Sequence, residues 1–141
     1  PYAGLLLGSY YKYFRDADRD AVDFDDYWEA IFAARSHAYL TDHIHPGVEF
    51  SYQVRRPEGP FAGTNNYEVP TVTKVSFIQA LTLKKGMYSR PQLRFIYTRS
   101  MLNQSALNLY PEEDPRRGRP TQHYLGVMVE WWFNNASLFR P

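Results

Sequence analysis

At 141 residues, with 44% hydrophobic and 22% charged side chains and a net charge of +1, the chain amounts to one domain and gives no electrostatic case for a nucleic-acid partner. It contains no cysteine, which excludes a disulfide framework and a thiolate metal site. Aromatic residues make up 17%, with 12 tyrosines against 3 tryptophans, a bias that suits strands, interfacial belts and sugar-stacking surfaces.

No stretch approaches the roughly 18 apolar residues of a membrane-spanning helix. The first residues, Pro-Tyr-Ala-Gly-Leu-Leu-Leu-Gly-Ser-Tyr, lack a basic leader region and run straight into strand-like sequence, so the chain is expected to be cut from something longer. Residues 3–13 are aliphatic and aromatic and read as a strand. Residues 15–26 are polar and rich in aspartate. The Asp16, Asp18, Asp20 spacing opens like a calcium loop, but Ala21 stands where glycine is needed and Tyr27 where glutamate is needed, so a solvated loop is expected.

Residues 27–40 alternate: Trp28, Ala30, Phe32, Ala34, Ser36, Ala38 and Leu40 fall on one face, Tyr27, Glu29, Ile31, Ala33, Arg35, His37 and Tyr39 on the other. Thr41, Asp42 and His43 make a short turn. Residues 44–54 alternate again, with Val48, Phe50 and Tyr52 opposite His45, Glu49 and Gln53, so a hairpin is expected. His43, His45 and His37 invite a metal reading, but their spacing fixes only a pair on one side. Residues 55–70, rich in Pro, Gly, Asn and Arg, are a longer loop.

Residues 72–84 form a fourth strand, in which Gln79 interrupts the apolar face. Lys85, Gly86 and Met87 give a second short turn. Residues 88–101 place Leu93, Phe95, Tyr97 and Met101 opposite Tyr88, Arg90, Gln92, Arg94, Ile96, Thr98 and Ser100. Residues 102–120 are a long loop. The last strand, residues 121–133, carries Leu125, Val127, Val129, Trp131 and Phe133 on one face and Gln122, Tyr124, Gly126, Met128, Glu130 and Trp132 on the other.

Six strands of about 11–14 residues thus alternate with long and short connections. Soluble strands average about 5–6 residues, whereas alternating strands of this length with short turns at one end are the pattern of a membrane β-barrel. In such a barrel the apolar face meets lipid and the polar face lines a lumen.

Two segments go beyond pattern. Residues 73–95, with Tyr88, Ser89, Arg90, Pro91, Gln92, Leu93 and Arg94 after the turn, resemble the penultimate hairpin of the maltoporin family, whose turn leads into an aromatic-Ser-Arg-Pro-x-hydrophobic-Arg sequence. Residues 124–132, with Gly126, Glu130 and the paired aromatics Trp131 and Trp132, are similar to that family's closing strand. The resemblance extends loosely over residues 27–133.

The resemblance implies an all-β chain: an antiparallel transmembrane β-barrel fragment, about six long meander strands of an 18-stranded, homotrimeric channel in the bacterial outer membrane. Residues 1–133 would form the C-terminal third of that barrel and residues 134–141 a polar tail absent from family chains, which end at the closing strand. Its partners would be outer-membrane lipid and malto-oligosaccharides or related sugars, with no cofactor, no metal and no catalysis. By the motif match, Tyr88 and Trp132 correspond to lumen aromatics that stack on glucose units, with Tyr88 where the family commonly has tryptophan. Arg90, Arg94, Glu130, Glu49 and Arg35 are the lumen charges expected to form a polar track for sugar hydroxyls. Interfacial-belt aromatics and wall-stiffening ion pairs are the plainer readings of the same residues. Two other functions fit the pattern, a general ion-conducting porin and a soluble β-sheet carbohydrate-binding module, the latter requiring a second packed sheet.

Overall fold

The computed structural model describes residues 2–15, 26–57, 68–86 and 89–131. Their strands are β1 (Ala3–Phe14), β2 (Tyr27–Ala38), β3 (Ile44–Pro57), β4 (Thr71–Thr82), β5 (Gln92–Leu102) and β6 (Thr121–Glu130), with one short helix, α1 (Gln104–Leu107), between the last two. They build one six-stranded sheet in sequence order, every neighbour antiparallel. The second sheet that a soluble sandwich requires is absent among the described residues. At 10–14 residues, each strand is long enough to cross a hydrocarbon layer while tilted.

Antiparallel register carries each strand's alternation across the whole sheet. One transverse row runs Ser36, Val48, Phe77, Tyr97, Leu125; the next runs Arg35, Glu49, Ser76, Thr98, Tyr124. No strand residue of the first row's face is buried, and the exposure of that row's large apolar residues runs from 44% at Tyr97 to 80% at Leu125. Such a continuous apolar surface on a water-soluble monomer would be far beyond the few hundred Å² normally tolerated. The burial lies on the other face, at His37, His45, Ser76, Ile78, Ala80, Thr82 and Gln92. In a single-layer sheet only its own side chains can cover one another, so the sheet curls toward this polar face.

Four of the six strand spans match the alternation closely, and the departures have local causes. The fifth strand, expected from residue 88, begins at Gln92 because Pro91 has no N–H to give the ladder. The loop expected over residues 102–120 contains α1, capped by Asn103, whose side chain accepts from the Ala106 N–H at 2.9 Å. Residues 16–25, 87–88 and 132–141 lie outside the described residues, and with them the aspartate loop, Tyr88, Trp132 and the tail. In the second short turn Gly86 takes φ +139°, a conformation open to glycine and strained for other residues.

Thr82 ties the two short turns together. Its hydroxyl donates to the carbonyls of Asp42 at 3.1 Å and Lys84 at 2.8 Å, while the His43 ring contributes a further bond, Nδ1 to the Thr82 carbonyl at 3.0 Å. His43 is therefore spent in the turn, and His45 is buried edge-on against Tyr39, ring centroids 4.8 Å apart.

Two glycines on the polar face differ in what a methyl group would meet. A Cβ on Gly47 would lie 2.7 Å from the Ser36 carbonyl oxygen, a backbone atom that cannot step aside. On Gly126 it would meet the Tyr124 ring, a side chain free to swing toward open space. Gly47→Ala is therefore expected to cost about 1–3 kcal/mol and Gly126→Ala clearly less, read from denaturant unfolding midpoints in a bilayer. Equal costs would show that the β2–β3 spacing is not as tight as described.

At the long-loop end, the Asp114 carboxylate accepts from Arg116 at its Nε and NH2 atoms, 2.6 to 3.1 Å, and from its backbone N–H at 2.9 Å. The guanidinium first, then the backbone bond, holds the Asp114 carboxyl down from 3.8 to about 2. A lowered carboxyl value means the contact contributes fully above pH 3.8 and is lost as pH falls through about 2. The Asp114 carboxyl carbon shift, followed by NMR, is expected to titrate near pH 2 and to move up toward 3.8 in Arg116→Gln.

Candidate functional site

The polar face carries its charges in two groups, placed by strand alternation. Arg35 of β2 stands opposite Glu49 of β3, and Arg35 Nε donates to Glu49 Oε2 at 2.5 Å. Along the same row, the Ser76 and Thr98 hydroxyls bond each other at 2.8 Å, extending a polar line across β4 and β5.

The second group sits at the short-turn end of β5 and β6. The Glu130 carboxylate takes one arginine on each oxygen, Arg90 NH2 at 2.6 Å on Oε1 and Arg94 NH2 at 3.1 Å on Oε2. Arg94 Nε also donates to Gln92 Oε1, and Arg90 NH1 to the Ser89 carbonyl at 2.9 Å. Both arginine side chains are only 12–14% exposed, so the carboxylate holds them flat against the wall. Each guanidinium presents its five N–H donors in a rigid fork, and the bonds to Glu130 fix where that fork points on the inner face.

The structure thus brings all five expected charges onto one face, in mutual pairs, and separates them into two stations. The wall-stiffening pairing is present in the geometry. Between the stations lies the row His37, Gly47, Ile78, Ile96 and Gly126, apolar apart from the buried His37 ring. Lys84 lies in the short turn; Lys74 lies on the polar face near the long-loop end of β4. Sequence reasoning did not single out Gln92, Ser76 or Thr98, although the same period-two count places them on this face. It also missed the helix that folds over the face at its long-loop end, for which Asn103 before Ala106 and Leu107 was the available signal.

A curled antiparallel meander with an accessible aliphatic and aromatic outer face and a charged inner face is the wall of a transmembrane β-barrel. A family model described as LamB porin matches residues 4–133, and the chain belongs to that family. Its members are channels of the bacterial outer membrane and not an enzyme family, and the family points to an outer-membrane sugar porin. Comparisons with curated proteins and with solved structures give no match.

Proposed function

We propose that the chain forms the last six strands of an 18-stranded, trimeric pore that passes malto-oligosaccharides or related sugars by facilitated diffusion. The observation that carries this reading is the pairing of a lipid-type outer face with an inner face on which Glu49 and Glu130 fix the guanidiniums of Arg35, Arg90 and Arg94 in place. A pyranose offers C–H groups to an aromatic face and hydroxyls around its rim, and the latter need polar partners once water is displaced. Tyr88 and Trp132 supply the aromatic stacking; Arg90, Arg94, Glu130, Glu49 and Arg35 supply the polar partners. Weak sites in series let a sugar move on, because none holds it long.

The test is single-channel current through the full-length parent in a planar bilayer, titrated with maltohexaose. Saturable block is expected, with affinity reduced about five-fold or more in Tyr88→Ala and in Trp132→Ala, each change removing about a kcal/mol or more of stacking. A pore that conducts ions and ignores the sugar would be a general porin, and both aromatics would then belong to the interfacial belt.

A further inference from the structure

Away from both charge stations, at the long-loop end of the polar face, lies a cleft of about 220 Å³. At about 30 Å³ per water this is the space of roughly seven waters, room for one compact ring with its substituents and not for an extended chain. Its walls come from neighbouring strands and from the loop that α1 folds over them. Glu29 and Gln53 line it together with Val72, Leu102, Leu109 and Tyr110.

The polar and apolar parts of this lining are sorted. Glu29 and Gln53 are half-buried, and their side chains make no hydrogen bond to the described protein, so their acceptors and amide donors are open to a guest. Val72, Leu102 and Leu109 offer dry surface. The Tyr110 ring is steadied by the Arg116 guanidinium, 4.8 Å from its centroid, and its hydroxyl lies 3.5 Å from Gln122 Nε2. Above the cleft the chain is pinned: Asn103 accepts from the Thr71 and Ala106 N–H groups and donates to the Val69 carbonyl, and Asn108 donates to the Glu68 carboxylate at 3.0 Å. The cleft is therefore preformed.

Its chemistry selects against ions. Arg55, which also lines the cleft, stands opposite Glu29 across the β2–β3 pair and rests its guanidinium on the Tyr27 ring at 3.6 Å, so the two charges offset each other and neither faces a guest alone. What remains is a neutral ring with an apolar side and hydroxyls on its rim. We propose that this cleft is an entry subsite that captures one hexopyranose unit of an oligosaccharide on the long-loop side before the sugar reaches the charge stations. The proposal rests on the sugar-channel reading, and it assigns to the loop end a kinetic role separate from the stacking aromatics.

The experiment is sugar-block current noise in the full-length parent, with maltohexaose added to one side at a time. Two variants alter the cleft: Gln53→Ala removes a polar partner, and Leu109→Trp, at a side chain already 47% exposed, fills the space. Entry from the long-loop side is expected to slow about five-fold in each, the value of one lost hydrogen bond, with entry from the other side and open-channel conductance unchanged. Equal slowing from both sides, or none from either, overturns the subsite while leaving the sugar channel standing. A parent with no sugar block from either side removes the channel reading and the subsite with it.

Discussion

Leu125→Arg is expected to cost about 2–4 kcal/mol of folding free energy in a phospholipid bilayer, and Tyr124→Arg, one residue earlier, less than about 1 kcal/mol. Both side chains are open in the isolated sheet, Leu125 at 80% and Tyr124 at 62%, so accessibility alone predicts two harmless surface changes. The difference comes from the solvent on each side. Leu125 continues the row of Val48, Phe77 and Tyr97 near the middle of the apolar face, where an arginine must leave water for hydrocarbon. Tyr124 continues the row of Glu49, Ser76 and Thr98, where an added guanidinium stays wet and loses only the packing of the ring over Gly126. Reversible denaturant titrations of the full-length parent in vesicles measure both. Small and equal costs would mean that the apolar face meets water or another protein surface instead of lipid.

Glu130→Gln is expected to shift the pore toward anions and to weaken sugar block. The carboxylate bridges Arg90 and Arg94, so its loss adds a unit of positive charge to the wall and removes one of the bonds that hold each guanidinium in place. Hydrogen bonds to charged groups contribute about 1.5–3 kcal/mol, and with the pair partly open to the lumen the loss of stability is expected near 1–3 kcal/mol. Zero-current potential in a salt gradient reads the selectivity, and maltohexaose titration reads the block. Glu130→Asp keeps the charge but shortens the arm, so it should restore the potential while recovering only part of the block. An unchanged potential in Glu130→Gln would show that this face does not line the conducting path.

Strand alternation made most of the fold legible, because a sheet with lipid on one side and water on the other writes its register into every second residue. That is why Arg35, Glu49, Arg94 and Glu130 could be placed on one face before any pairing was known. What the alternation could not supply was which charges meet. The convergence of Arg90 and Arg94 on Glu130 depends on the β5–β6 register, which pairs Gln92 with Glu130 across a loop of unfixed geometry. The four residues of α1 are too few for helical periodicity to appear. The cleft joins Glu29, Gln53 and Tyr110 from three distant parts of the chain, and no local pattern announces such a meeting. Histidine spacing was equally silent on its use: His43 fixes a turn through the Thr82 carbonyl and His45 packs on Tyr39, contacts that only the assembled sheet reveals.

The bonds of Asn103 and Asn108 anchor the helical roof to residues 68–71, Arg116 lies over the Tyr110 ring, and the Pro120 carbonyl accepts from the Leu102 N–H at 2.8 Å. Gly118 and Arg119 are exposed and stand between the last two of these anchors, so extra sequence can be spliced in there without moving the roof. Doubling a flexible loop adds only about 0.6 kcal/mol of closure entropy, which makes this segment a permissive place for an epitope or a tag. The outward shape of the molecule can therefore be rebuilt at this point while the dimensions of its inner surface stay as they are.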